Sequence, residues 1–216
     1  AVEGTLPADL DGRYLRIGPN PIAATVDPAN HHWFVGEGMV HGLRLRDGRA
    51  EWYRNRWVRS NGVSEALGEE PAPGERHADM DVVNTHVIGH AGRTLALVEA
   101  GARPVELTDE LETIRHTDLD GTLPNGFTAH PKRDPRTDEL FAMAYFWGLD
   151  HLQYLVVGAD GRVRKVEDIP VDDGPMVHDM AISERFAVVF DMPVTFDIEG
   201  AMAGRSLPYW WIRDHP

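Results

Sequence analysis

The chain has 216 residues, no cysteine and a formal net charge of −14. Without cysteine it forms neither a disulfide nor a thiolate metal ligand, and without a cluster of Lys and Arg it offers nucleic acid no basic surface, so nucleic acid is not an expected partner. The sequence contains no run of 18 apolar residues and therefore predicts no membrane-spanning helix.

The first four residues place an acid, Glu3, where a secretory signal peptide has basic residues. No signal peptide is therefore predicted, and the absence of cysteine fits a reducing compartment. Both features predict a cytoplasmic location. Because the chain begins with Ala1 and not with Met, a trimmed N-terminus is expected.

The predicted elements are mostly short apolar strands on either side of a turn. Residues 41–53 alternate around Asp47-Gly48, which is the strongest short-range signal for a hairpin. Further strands or hairpins are predicted, in chain order, at residues 86–99, 140–146, 154–169 and 186–190. Helical turns are predicted only at residues 65–67 and 198–203. The sequence therefore predicts an all-β fold.

The predicted hairpins recur at a regular spacing. Three histidines open predicted strands at similar places: His86, His130 and His178. They are separated by 44 and 48 residues, and a second apolar strand holds Glu99, Met143 or Asp191 13 residues after each of them. Several strands in a repeat of roughly 40–50 residues are typical of β-propeller blades. A β-sandwich with evenly spaced hairpins is the structural alternative.

Two of these histidines are predicted to meet in space. In a propeller the innermost strand of each blade runs along the central channel, so equivalent positions on neighbouring blades converge on the axis. His130 and His178 occupy equivalent positions one blade apart. Because imidazole is a ligand for iron and other transition metals, the pair is a candidate metal site.

Four segments of the chain resemble the sequence motifs of the carotenoid cleavage oxygenases. Residues 4–21 and 32–42 are similar to the two N-terminal motifs of that family. Residues 125–131, with the sequence NGFTAHP, resemble the segment that supplies its first iron-binding histidine. Residues 177–183, followed by FDMP at 190–193, resemble the segment that supplies the second. The resemblance covers nearly the whole chain.

The resemblance implies a seven-bladed β-propeller with iron(II) on its axis. The ion would be held by four histidines, in contrast to the commoner set of two histidines and one carboxylate. His130 and His178 would be two of the metal ligands, and Glu99 would accept a hydrogen bond from the second nitrogen of His178. The implied reaction is the O2-dependent cleavage of one C=C bond of an apolar polyene into two carbonyl products. No organic cofactor and no catalytic residue besides the metal ligands are implied.

The family's members are much longer than 216 residues. The resemblance therefore implies that residues 1–216 form a single incomplete β-propeller domain with about half of the blades. The third and fourth histidines and two further glutamates would lie outside this chain, which alone is expected to be inactive. His215 lies in a segment that resembles a surface loop of the family and is not assigned to the metal.

The other histidines are assigned different roles. His86 occupies the same blade position as the two predicted ligands, but the family uses no ligand there, so it is expected in the core or along the channel. Structural roles are expected for His31, His32 and His41. The histidines predicted to lie in or near turns, and to be solvated, are His77, His90, His116 and His151.

The residue before Glu99 helps to predict the class of substrate. The stilbene-cleaving branch of the family has a Lys directly before this glutamate and uses it with a Tyr to ionise a phenol. Here the residue before Glu99 is Val98, and no Tyr occurs between Arg54 and Arg115. A carotenoid or apocarotenoid is therefore the expected substrate. Its delivery implies peripheral membrane contact through apolar loops after residues 36–38.

Three other functions stay open from the sequence. One is a stilbene-cleaving dioxygenase of the same family. Another is a calcium-dependent propeller hydrolase or lactonase, which needs oxygen ligands such as Asn84, Asn125 and Asp179 at the channel. The last is a non-catalytic propeller scaffold whose histidines hold no metal.

Overall fold

The computed structural model describes residues 3–22, 27–29, 31–172, 174–205 and 207–214. The described chain is mostly β-strand with two short helices, so the predicted all-β class is confirmed. The first sheet has three antiparallel strands paired in chain order: β1 (Gly12–Pro19), β2 (Gly38–Arg46) and β3 (Arg49–Trp57). Helix α1 (Asn61–Leu67) follows this sheet.

Two four-stranded antiparallel sheets come next, each with its strands paired in chain order. The first contains β4 (His86–His90), β5 (Arg93–Leu97), β6 (Val105–Leu107) and β7 (Thr113–His116). The second contains β8 (Lys132–Arg133), β9 (Leu140–Ala144), β10 (His151–Val157) and β11 (Val163–Pro170). A four-stranded sheet of this kind is the unit of a propeller blade.

The remaining elements are shorter. Two-stranded ladders join β12 (Ala181–Ile182) to β13 (Ala187–Val188) and β14 (Val194–Phe196) to β15 (Tyr209–Trp211). Helix α2 (Ile198–Met202) lies between β14 and β15. Both helices lie at or next to the predicted positions, whereas the strand predicted at residues 186–190 has only two paired residues. His215 lies outside the described residues.

The Asp-Gly hairpin forms as predicted because its two central residues both adopt positive φ. Asp47 has φ 49° and Gly48 has φ 69°, which are the signs that a two-residue type I′ turn requires. The turn between β4 and β5 has the same form, with φ 49° at Ala91 and 73° at Gly92. These turns set the antiparallel register of the strands on either side.

Four residues predicted on strands lie just outside them. Glu99 follows the end of β5, because the chain turns at Ala100 (φ 64°) into a left-handed conformation that a strand does not contain. Asp191 follows β13 and belongs to no strand. His130 precedes β8, since the next residue is Pro131, which has no N–H to donate to a ladder. His178 precedes β12 by three residues.

Three apolar clusters join the sheets. One contains Leu95, Leu97, Phe127, Leu140 and Leu155, and packs the two four-stranded sheets together. A second contains Val40, Val58, Val83, Val105 and Leu111, and packs the first sheet against its neighbour. A third contains Met143, Tyr145, Leu152, Val177 and Met180, and attaches the segment around His178 to β9 and β10. Each cluster removes apolar surface from water, which contributes about 25 cal/mol per Å².

Two histidines that were predicted to be solvated are buried. Nε2 of His90 lies 2.8 Å from the carbonyl oxygen of Gly158, and Nε2 of His116 lies 3.2 Å from that of Arg59. Each histidine is the last residue of its strand, so its side chain reaches a neighbouring segment instead of water. No helix among the described residues is long and apolar enough to cross a membrane.

Candidate metal centre

His130 and His178 lie side by side, although 48 residues separate them in the chain. Their Nε2 atoms are 3.0 Å apart, and the ring centroids are separated by 4.6 Å with 70° between the ring planes. Both residues lie just before the first strand of their unit, β8 or β12. The edge-to-face arrangement directs one nitrogen of each ring toward the same point.

The segment that carries His130 is fixed on both sides. Phe127 and Ala129 are buried, and Phe127 belongs to the cluster between the two four-stranded sheets. Nδ1 of His86 lies 2.8 Å from the carbonyl oxygen of Ala129 and donates a hydrogen bond to it. This contact places the ring of His86 5.2 Å from that of His130, centroid to centroid. His86 therefore lines the centre, as predicted, and one of its nitrogens binds the backbone.

The segment that carries His178 is anchored by the residues around it. Val177 and Met180 are buried in the third cluster. Between them, Oδ1 of Asp179 accepts a hydrogen bond from the backbone N–H of Met180, at 2.7 Å. This local bond occupies the Met180 N–H, so the ladder of β12 begins only after it.

Glu99 lies behind His178. Its Oε1 accepts a hydrogen bond from Nδ1 of His178, at 2.8 Å. A proton held on Nδ1 leaves the lone pair on Nε2, so the bond sets both the tautomer and the orientation of the ring. The other carboxylate oxygen, Oε2, is buried and has no hydrogen-bond partner within the described structure.

The two imidazoles have pKa values shifted in opposite directions. Burial lowers the pKa of His130, and the nearby His178 and His86 lower it further. The hydrogen bond to Glu99 raises the pKa of His178, an effect that burial only partly offsets. Neutral imidazole is the metal-binding form, so the lowered pKa of His130 favours cation binding at that ring, whereas the raised pKa of His178 makes its metal binding compete with a proton.

The residues present fit part of a coordination sphere. Two nitrogens that bind one ion at right angles, each at about 2.1 Å, lie about 3.0 Å apart, which is the separation of the two Nε2 atoms. Imidazole also suits iron among the divalent metals. Within the described ranges, no group of three or more His, Asp or Glu side chains could hold a metal ion. The described chain thus offers two candidate ligands and one carboxylate that orients His178.

The oxygen ligands considered for calcium do not converge. The Nδ2 atom of Asn84 donates to the carbonyl oxygen of Gly36, at 2.8 Å. The side chain of Asn125 binds that of Gln153, also at 2.8 Å. Asp179 forms an ion pair with Lys132. Each of these side chains is engaged by a different neighbour, whereas the two imidazole nitrogens face each other directly.

Sequence reasoning missed two tyrosines near Glu99. The hydroxyls of Tyr145 and Tyr209 lie 3.1 Å apart. Burial raises the pKa of both hydroxyls, and the charge of Glu99 raises it further. Both tyrosines are distant from Glu99 in the chain, since Tyr145 follows β9 and Tyr209 begins β15.

Comparisons with known proteins identify the family of the chain. The family described as Retinal pigment epithelial membrane protein matches residues 1–215. A carotenoid cleavage oxygenase of Mycobacterium tuberculosis is 52% identical over 214 residues, which are 97% of this chain and 42% of the relative. A carotenoid 9,10(9',10')-cleavage dioxygenase of Crocus sativus is 34% identical over 239 residues, covering 95% of this chain and 43% of the relative.

Solved structures of apocarotenoid and lignostilbene oxygenases have a similar fold. The lignostilbene dioxygenase of Pseudomonas brassicacearum matches with a TM-score of 0.83 and 29% identity, over 98% of this chain and 47% of that one. A variant of the Synechocystis apocarotenoid oxygenase matches with a TM-score of 0.77 and 27% identity, over 98% of this chain and 50% of that one. These matches confirm the predicted propeller-type fold, of which this chain contains a part.

The chain spans less than half the length of the curated relatives it matches. The match nevertheless includes both segments that carry the paired histidines, since the family match runs from residue 1 to residue 215. The resemblance read from the four sequence motifs is therefore confirmed. The chain belongs to the Retinal pigment epithelial membrane protein family, the family of the carotenoid cleavage oxygenases.

Proposed function

We propose that the protein carrying this chain is an iron(II)- and O2-dependent dioxygenase that cleaves one C=C bond of a carotenoid or apocarotenoid into two carbonyl products. The observation that carries the proposal is the pair of Nε2 atoms 3.0 Å apart at His130 and His178. The reaction class is supported by the relatives, which are called carotenoid cleavage oxygenase or dioxygenase.

In this proposal His130 and His178 hold the iron through Nε2. Bound iron supplies the redox chemistry that activates O2 toward the alkene. Glu99 keeps the proton of His178 on Nδ1, so that Nε2 faces the ion. Its negative charge, 2.8 Å from this ring, also compensates part of the charge of the cation. Further ligands would come from outside this chain.

The proposed substrate is an apolar polyene because Val98 precedes the carboxylate. Val98 packs against the second apolar cluster and brings no charge to this side of the centre. A phenolate would find no cation at position 98, and an unpaired ion is costly to bury. A polyene loses only its contact with water, which favours binding by about 25 cal/mol per Å².

A hydroxystilbene is the second candidate substrate. The structural match to a lignostilbene dioxygenase favours it, as does the hydroxyl pair of Tyr145 and Tyr209 close to Glu99. Burial keeps both hydroxyls protonated. One of them donates to the other, which leaves one O–H that can donate a hydrogen bond to a substrate oxygen. They supply no positive charge, however, so the polyene remains the favoured substrate.

Delivery of an apolar substrate is proposed to occur at a membrane surface, with the protein cytoplasmic and peripherally bound. Trp33 and Phe34 are exposed, with ring centroids 4.1 Å apart. Such aromatic side chains favour the membrane interface. Trp33 and Phe34 come before residues 36–38, whereas the sequence predicted the apolar loop after residues 36–38. The residues that follow instead form β2, whose Met39 and Val40 are buried.

The test uses the metal-free protein that carries this chain, reloaded separately with Fe(II) or Ca(II). An apocarotenoid and a resveratrol-like stilbene are each incubated with it under O2, and products are identified by mass spectrometry. We expect aldehydes or ketones from the apocarotenoid with iron only. Turnover with calcium would contradict the metal assignment, and cleavage of the stilbene alone would contradict the argument from Val98.

A further inference from the structure

Lys132 and Asp179 form an ion pair beside the two histidines. Nζ of Lys132 lies 2.6 Å from Oδ1 of Asp179. Lys132 follows His130 by two residues, and Asp179 comes directly after His178. The ion pair therefore joins the same two segments whose imidazoles face each other.

Both ends of the ion pair are attached to fixed backbone. Lys132 belongs to β8 and lies opposite Phe141 of β9 in the ladder. Oδ1 of Asp179 also accepts the N–H of Met180, a buried residue. The aspartate is thus already oriented when the lysine reaches it, and the pair restrains the distance between two backbone segments.

Without this pair, the two segments are held by different parts of the core. Phe127, before His130, packs in the cluster between the two four-stranded sheets. Val177 and Met180, around His178, pack in the cluster with Met143 and Leu152. A small relative movement of these clusters changes the separation of the two Nε2 atoms, since each ring follows its own segment.

We propose that the Lys132–Asp179 ion pair is a positioning device that holds the two segments at the spacing at which His130 and His178 bind one metal ion. The inference rests on the proposed function, because it assumes that these histidines share an ion. Lys132 and Asp179 are not ligands in this proposal. They act through the backbone that carries the ligands.

The charges of the pair allow positioning to be separated from electrostatics. Removal of Lys132 alone takes a positive charge away from a cation site, and removal of Asp179 alone takes away a negative one, so single variants mix the two effects. The double variant Lys132→Met/Asp179→Asn removes the ion pair without a change in net charge. Because the net charge is unchanged, electrostatics predicts only a small change of metal affinity in this variant, whereas positioning predicts a clear loss.

The experiment measures the Fe(II) affinity of the protein that carries this chain, by anaerobic competition with a chelator, together with the thermal unfolding midpoint of the metal-free form. Lys132→Met/Asp179→Asn is expected to bind Fe(II) about two- to fivefold more weakly, since an ion pair of this exposure contributes at most about a fivefold effect. The unfolding midpoint should stay near that of the native protein. Lys132→Arg keeps the ion pair and should bind Fe(II) as tightly as the native protein does. This variant keeps the inference testable if the double variant folds poorly.

The matched control is the pair Arg136–Glu184, which joins the chain after β8 to the chain after β12 at 3.4 Å. Arg136→Met/Glu184→Gln should leave the affinity unchanged. Native affinity in Lys132→Met/Asp179→Asn would overturn the inference, as would an equal loss in the control pair. His130→Ala separates a failure of the proposed function from a failure of the positioning role. Native Fe(II) affinity in His130→Ala would overturn the proposed function. Weaker binding in His130→Ala together with native affinity in Lys132→Met/Asp179→Asn would overturn only the positioning role.

Discussion

At the scale of single residues, the carboxylate of Glu99 has the clearest role, because one oxygen orients an imidazole while the other is buried without a partner among the described residues. Glu99→Gln keeps the shape and removes the charge. We expect metal affinity to fall about 10- to 100-fold, the usual effect of losing such a partner, while the protein still folds.

Metal content after dialysis against a chelator checks this prediction, with the unfolding midpoint measured in parallel. Glu184→Gln, at an exposed carboxylate, is the control. Unchanged metal content in Glu99→Gln would show that its hydrogen bond to His178 is structural only.

The two imidazoles differ from the other histidines in what they bind. His130→Ala and His178→Ala should each abolish stoichiometric iron binding, because each removes one of the two nitrogens that converge. Iron per protein, measured by elemental analysis, checks this. His151→Ala is the control, since that ring binds the exposed Asp150. Full iron occupancy in both ligand variants would refute the assignment.

His77, another candidate control, is unsuitable. Its Nδ1 lies 2.8 Å from the carbonyl oxygen of Gly101, two residues after Glu99.

Local motifs were enough to predict His130, His178 and Glu99 as neighbours. They gave no sign of Tyr145 or Tyr209, because those contacts arise from the packing of distant strands.

At the scale of the elements, strand β7 ends in a buried titratable group. His116 donates from Nε2 to the carbonyl oxygen of Arg59, and its Nδ1 is buried without a partner in the part of the chain that the structure describes. Burial lowers the pKa of His116, and the charge of Arg76 lowers it further. Because the folded pKa lies below the unfolded value of about 6.5, stability is fully present above that pH and is lost as the pH falls through the folded pKa.

We therefore expect the free energy of unfolding to decrease as the pH is lowered from about 7.5 to 5.5. His116→Gln keeps an N–H donor for Arg59 and does not titrate, so its decrease should be smaller. Urea unfolding of both proteins across this range checks the prediction. Parallel curves would mean that His116 does not contribute.

The loops that carry Glu99 and His130 cross at two glycines. A Cβ on Gly126 would lie 2.2 Å from the carbonyl oxygen of Gly101, a backbone atom that cannot move aside alone. Gly126→Ala should therefore lower the free energy of unfolding by about 1–3 kcal/mol and weaken metal binding as the loops separate. Gly89→Ala has space for its Cβ and is the control. Equal stability of the two variants, measured by urea unfolding, would contradict this crossing.

The elements that were predicted well are those with local signals. Asp47-Gly48 and the alternating residues around it contain the whole hairpin, and the helical turns were equally local. The strands predicted around His130 and Glu99 are longer than the observed ones, because Pro131 and the left-handed Ala100 interrupt the hydrogen-bonded pairing of the strands. Burial of His90 and His116 could not be predicted, since their partners lie in other segments.

At the scale of the whole molecule, the repeat of hairpins was the informative signal. The spacings of 44 and 48 residues predicted units of several strands, and two four-stranded sheets are observed at those positions. The meeting of His130 and His178 follows from that repeat and from the packing of the clusters between the sheets. The ion pair of Lys132 and Asp179 forms because the same two segments meet. The pair could not be predicted from the sequence, in which the two residues are far apart.

The central claim is that His130 and His178 bind one iron ion together. An anomalous difference map at the iron absorption edge, from crystals of the protein carrying this chain grown with Fe(II), tests it directly. We predict one peak bonded to Nε2 of both histidines at about 2.1 Å, with Glu99 still hydrogen-bonded to Nδ1 of His178. A peak that contacts neither imidazole, or a map without iron at this site, would contradict the claim.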